Sequence, residues 1–202
     1  VDFTGFDHPG RSTRDRGPRS VKVMIAGGFG TGKTTMVRSV SDIKPLTTEE
    51  TLTEASADVD DLIGIADKTR TTVSMDFGKI CLNDELMLYL FGTPGQERFW
   101  FLWNGLFKGA LGAVVLVDTR RLASSFRAIE EMERQDVPFV VAVNVFPDSP
   151  VHPVEEIRDA LDLDPHTPIV FCDARDRRSS CDVLVALIRH LQERSTAALE
   201  PR

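Results

Sequence analysis

The sequence predicts an α/β fold: a mainly parallel, six-stranded sheet with one antiparallel strand, covered by helices on both faces. Three observations carry that expectation. Short apolar runs alternate with amphipathic helical segments along the C-terminal half, the pattern of parallel strand–helix units. The half-buried alternation of Thr72–Leu82, a turn at Asn83-Asp84 and the apolar run Leu86–Phe91 make a β-hairpin, which supplies the antiparallel strand. Finally, the segments that carry recognisable chemistry all follow a strand directly, at the carboxyl ends where such sheets bind ligands.

Taken in order, residues 1–20 are rich in Gly, Pro, Ser, Arg and Asp without periodicity, and are expected to form a disordered extension. One folded domain is expected over residues 21–196, with 197–202 as a tail. Val21–Ile25 is a strand, and Met36, Val37 and Val40 mark a helix that should end between Asp42 and Pro45. Leu46–Thr71 is polar, rich in threonine and acidic residues, and reads either as a linker or as a segment ordered by ligand; a helical turn is expected at Asp60–Ile65. After the hairpin, Phe99, Trp100, Phe101 and Trp103 form a dense aromatic cluster. Either some of them face a partner, or all pack as core. Leu111–Asp118, Pro138–Asn144 and Thr167–Cys172 are the remaining strands. Arg120–Gln135, Pro153–Leu163 and Ser179–Arg194 are the helices, the last with Val183, Leu184, Leu187, Ile188 and Leu191 on one face.

A net charge of −7 with dispersed basic residues excludes a nucleic-acid footprint, which needs a concentrated positive face. Cys81, Cys172 and Cys181 lack metal-ligand spacing and read as buried thiols in a reducing compartment. No apolar run approaches a membrane span, and neither a signal peptide nor a prenylation box is present. The expectation is a cytoplasmic protein that reaches a membrane only through partners.

The chemistry concentrates in Gly27-Gly28-Phe29-Gly30-Thr31-Gly32-Lys33-Thr34, a G-x-x-x-x-G-K-T motif set between strand and helix. Glycines let successive backbone N–H groups turn inward around a phosphate, and the helix N-terminus adds a favourable dipole. Lys33 brings a point charge to the β- and γ-phosphates, and the Thr34 hydroxyl takes one position on Mg²⁺. Polyphosphate binding follows from these residues alone, with Gly28, Phe29, Gly30, Thr31, Gly32, Lys33, Thr34 and Thr35 around the ligand.

From Val21 to about Arg194 the chain resembles the small Ras-like GTPases, a P-loop NTPase fold. Within them it is most similar to the conservon-type proteins of actinomycetes, relatives of the gliding-motility (Mgl) GTPases. The resemblance rests on A-G-G-F-G-T-G-K-T-T, K-T-R-T-T-V-S-M-D-F-G-K-I, L-Y-L-F-G-T-P-G-Q-E-R-F-W-F-L-W, V-V-L-V-D-T-R-R and C-D-A-R-D. It implies a GTP/GDP switch with Mg²⁺, slow hydrolysis, a roadblock-type regulatory partner and a sensor histidine kinase in the same assembly. Thr72, with Thr71 as the one-residue alternative, matches the threonine that meets Mg²⁺ and the γ-phosphate. Gly95 matches the glycine whose N–H senses that phosphate, and Gln96 the glutamine that orients the attacking water. Arg70 is either an internal arginine finger or a solvated loop residue. Asn144, Asp173, Ala174 and Arg175 stand where the family holds guanine, and Asp148, one place later than the family's aspartate, joins them through a shifted loop.

Three departures set further expectations. Gly92 replaces the usual Asp near Mg²⁺, which predicts weaker metal binding. Phe29 stands where relatives carry a small residue, which predicts intrinsic hydrolysis on the order of 10⁻⁴ s⁻¹. The base-reading motif lacks its lysine, since Val145-Phe146-Pro147-Asp148 follows Asn144. A nucleotide-stabilised scaffold with negligible turnover, or relaxed base choice, is the alternative these departures favour.

Overall fold

The computed structural model describes residues 18–53, 70–95, 103–147 and 149–197. Its elements are β1 (Arg19–Gly27), α1 (Lys33–Val40), β2 (Leu46–Thr53), β3 (Arg70–Asn83), β4 (Leu86–Gly92), α2 (Trp103–Leu106), β5 (Ala110–Val117), a 3-10 segment (Thr119–Ser125), α3 (Phe126–Arg134), β6 (Phe139–Asn144), α4 (Val154–Ala160), β7 (Ile169–Cys172) and α5 (Arg177–Ala197).

Among the described residues the sheet runs β2-β3-β4-β1-β5-β6-β7. The expected six-strand unit, β3 to β7 with β1 inside it, is present, and β3 alone runs against its neighbours. Two expectations are corrected. Leu46–Thr53, read as linker or ligand-ordered segment, is a seventh strand paired antiparallel to β3 from Leu46↔Phe77 to Thr53↔Arg70. β1 begins at Arg19, so Arg19 and Ser20 belong to the sheet and not to the extension. Residues 1–17, the expected turn at Asp60–Ile65 and the aromatics Phe99, Trp100 and Phe101 lie outside the described residues.

Strand periodicity divides the core in two. Val23 and Ile25 of β1 face α1 and α5, where Met36, Val37, Val40, Val183, Leu184 and Leu187 are buried. Met24 and Ala26 face the other layer, with Trp103, Phe107, Ile129, Met132, Ile157 and Leu161. β5 and β6 are buried on both faces, which explains their unbroken apolar sequences. Each large side chain so buried contributes about 1.5–3 kcal/mol. The segment after Asp118 does not continue as one helix from Arg120, because Arg121 leaves helical conformation at φ −149°, ψ 52°. Arg177 at the start of α5 donates to the Val40 carbonyl at 2.8 Å and pairs with Asp42 at 2.7 Å, placing a cation on the carboxyl end of α1. Among the described residues no helix is long and apolar enough to cross a membrane.

Candidate nucleotide site

β1 delivers its last residue to the carboxyl edge of the sheet, flanked by β4 and β5, and Gly27–Gly32 link it to α1. Gly32 takes φ 104° immediately before the helix, and a β-carbon there would stand 2.5 Å from Asn144 Nδ2. Only glycine meets both demands. Lys33 folds under the loop and donates to the Gly27 carbonyl at 2.9 Å and the Gly28 carbonyl at 2.6 Å. Burial brings its pKa down to about 8, while the charge of Asp76 pushes the other way. Thr31 is fully buried and closes the turn by donating to the Gly28 carbonyl at 3.0 Å. Phe29 and Gly30 are exposed at the tip, and Thr35 is exposed on α1.

The strand end Gly92–Gly95 approaches this loop from the β4 side. Thr93 N donates to the Ile25 carbonyl at 2.9 Å, and Trp103 Nε1 to the Pro94 carbonyl at 3.3 Å. Trp103 and Phe107 are therefore core residues, 1% and 3% exposed. A β-carbon on Gly95 would lie 2.6 Å from Lys33 Nζ and 3.1 Å from Phe29 N. The sensor glycine expected from the sequence thus stands directly over the cation and the loop amide. Gln96 is outside the described residues.

Where Gly92 lacks a carboxylate, the neighbouring strand supplies one. Asp76 pairs with Gly92 in the β3–β4 register, is 6% exposed, and accepts a hydrogen bond from the Thr34 hydroxyl. A β-carbon on Gly92 would be 3.1 Å from the β-carbon of Asp76, so the two positions share one place. A hydroxyl and a carboxylate side by side are the hard oxygen donors that suit Mg²⁺, which retains waters and needs few protein ligands. Among the described residues no group of three or more His, Cys, Asp or Glu offers another metal centre. Thr72 lies within β3 opposite Thr51, and Thr71 opposite Leu52. At strand rise, Thr72 is about 13 Å along β3 from Asp76 and is not brought to Thr34 here.

On the base side, Asn144 joins two segments. Its Nδ2 donates to the Thr31 carbonyl at 3.0 Å and its Oδ1 accepts from Ala174 N at 3.0 Å, with the side chain buried. Ala174 is thereby held beside the loop, with its N–H engaged by Asn144. Asp173 spends both oxygens on Arg175, at 2.9 and 2.7 Å, and this pairing brings its pKa down to about 2. The Cys172 thiol is pushed up to about 12 by burial, so it is no nucleophile. Asp148 is outside the described residues; Val145 is exposed where relatives carry lysine. Sequence reasoning missed Asp76, Asp118 and Arg121. For the first no local signal existed: an irregularity between Cys81 and Asn83 shifts the register by one, so counting back from the hairpin turn does not set Asp76 opposite Gly92.

The chain is 26% identical over 126 residues to an uncharacterized protein, MJ1339, of Methanocaldococcus jannaschii, covering 61% of this chain and 69% of that protein. It is 28% identical over 87 residues to the Ras-related protein Rab-11C of Dictyostelium discoideum, covering 39% of each. Its structure is similar to the G domain of the T. maritima FeoB iron transporter, with a TM-score of 0.55, 18% identity, and 87% of this chain and 98% of that one covered. This likeness establishes a G-domain, P-loop NTPase fold. The model of the conserved hypothetical ATP-binding protein family matches residues 25–194, nearly the whole folded region built around the glycine loop, and the chain belongs to that family.

Proposed function

We propose that the protein is a regulatory GTPase that binds GTP and GDP with Mg²⁺, hydrolyses GTP slowly, and signals through the segments flanking its terminal phosphate. The observation that carries this reading is the convergence of Lys33 Nζ, Phe29 N and Gly95 at one point, with Thr34 and Asp76 beside it. Lys33 holds the polyphosphate by charge, the loop amides orient it, and the Gly95 backbone is placed to register whether a terminal phosphate is present. Thr34 and Asp76 would hold Mg²⁺, which when bound neutralises phosphate charge. Gln96 orients the attacking water, as the resemblance implies. The conservon-type assignment, the roadblock-type partner and the sensor histidine kinase belong to the same proposal, as does a cytoplasmic protein that meets membranes through partners.

A second reading is supported by Val145 in place of the base-side lysine and by the description of the family as ATP-binding: a nucleotide-stabilised module with adenine tolerance or negligible turnover. One set of titrations decides between them. GDP, GTP, ADP and ATP are titrated with and without Mg²⁺ into the parent and Asp76→Asn, alongside phosphate release. The GTPase reading expects guanine preference, turnover, and a Mg²⁺ dependence that Asp76→Asn weakens about tenfold or more. Equal affinity for ADP and GDP, or no phosphate release, favours the module.

A further inference from the structure

The phosphate loop is gripped from the β5 side by groups outside the G-x-x-x-x-G-K-T motif. Asp118, fully buried at the end of β5, accepts from Arg120 N, Nε and Nη2 at 3.0, 2.9 and 2.8 Å. Its fourth partner is Arg121 Nη2, at 3.4 Å. That same nitrogen donates to the Phe29 carbonyl at 3.3 Å, and a β-carbon on Gly30 would be 3.1 Å from it. The kink at Arg121 aims the side chain at the loop instead of along a helix. Beside it, Ser124 packs so closely on Gly28 that a β-carbon there would lie 2.6 Å from its hydroxyl. The 3-10 segment is therefore a platform on which residues 28–30 rest.

The orientation of one peptide plane follows. The described peptide bonds are all trans, and in a trans peptide the C=O of one residue and the N–H of the next point in opposite directions. β4 and β5 flank β1 on opposite sides, so Gly95 and Arg121 reach the loop from opposite sides. A Phe29 carbonyl held toward Arg121 turns the Gly30 N–H away from Arg121, toward the opposite side of the loop. Asn144 does the same for the next but one peptide, holding the Thr31 carbonyl and so directing the Gly32 N–H. Without such anchors, a loop with glycine on both sides of Phe29 is free to flip that plane.

We propose that Arg121, carried on Asp118, is a positioning residue for the phosphate loop, fixing the Phe29–Gly30 peptide so that the Gly30 amide is preorganised for a nucleotide phosphate. The proposal deepens the nucleotide reading and rests on it. Its test is Mg²⁺-GDP and Mg²⁺-ADP titration of ¹⁵N-labelled parent, Arg121→Ala and Arg121→Lys, followed through the backbone amides of Gly30 and Gly32. In Arg121→Ala the ligand-induced shift of Gly30 shrinks while that of Gly32, anchored by Asn144, is retained, and affinity falls about fivefold to tenfold, as expected for one exposed hydrogen bond of ordinary strength. Arg121→Lys recovers part of both. A Gly30 shift and affinity equal to the parent's overturn the proposal, and so does a joint loss of the Gly30 and Gly32 shifts, which would mark general loosening. If the parent itself binds neither nucleotide, the nucleotide reading fails first.

Discussion

Lys33 is the residue in which fold and chemistry meet most directly. An ammonium buried beneath its own loop pays desolvation that only backbone carbonyls and Asp76 offset, so its pKa falls from 10.5 to about 8. The sign follows from proton counting: between these values the unfolded chain binds more protons than the folded one, so this group makes the ligand-free protein gain stability as pH rises through that window. A polyphosphate placed against Lys33 restores the preference for the charged form. Nucleotide binding should therefore take up close to one proton at about pH 9 and about a tenth of one at pH 7. Calorimetry in buffers of different ionisation enthalpy measures this directly; uptake that does not rise between the two pH values would show that Lys33 does not meet the phosphates.

At the scale of elements, the site is assembled where adjacent strands end, and side chains tie the loops that follow them. Asn144, at the end of β6, ties the phosphate loop to the turn after β7, its amide serving a carbonyl from one and an N–H from the other. Asn144→Ala leaves both backbone groups buried and unpaired, which costs on the order of 2–5 kcal/mol. The expected outcome is a lowered melting temperature together with weaker nucleotide binding. Asn144→Asp, which keeps the acceptor for Ala174 N but loses the donor to Thr31, should harm nucleotide binding as much as Asn144→Ala does; a nucleotide affinity equal to the parent's in either variant would refute the bridge. β2 is the element that sequence reading did not find. Thr and Glu dominate Leu46–Thr53, and no apolar alternation marks it as a strand, because an edge strand needs few buried side chains when the β3 ladder satisfies its backbone.

Across the whole molecule, two parts of the sheet carry different duties. β5, β6 and β7 with α3, α4 and α5 form a buried frame, while β3 and the segment after β4 bear Asp76 and Gly95. If the terminal phosphate is read by the latter part, loading a GTP analogue instead of GDP should slow hydrogen exchange in Arg70–Asp76 and at Thr93 and Gly95. Leu46–Thr53 should follow through its pairing with β3, and the frame should not change. Exchange identical in the two states throughout these segments would remove the switch from the proposal.

The G-x-x-x-x-G-K-T loop, its helix, the hairpin and three strand–helix units were legible in the sequence because each is written in local signals: glycine spacing, period-two and period-3.6 patterns, and turn residues. So was the placement of Gly95, Asn144 and Ala174 around the loop, since consecutive parallel strands deliver their ends to one edge. Asp76 was not, since its role depends on which residue of β4 stands opposite, a matter of register between strands. Arg121 was not, since a kink inside a segment of helical composition aims it. By itself the sequence determined that a phosphate would be held and by which loop; only the tertiary structure decided which neighbouring strand supplies the carboxylate and which arginine steadies the loop. The reason is physical: a motif fixes the backbone of adjacent residues, whereas a carboxylate from β3 and a guanidinium from the turn after β5 reach the loop only when the sheet has paired.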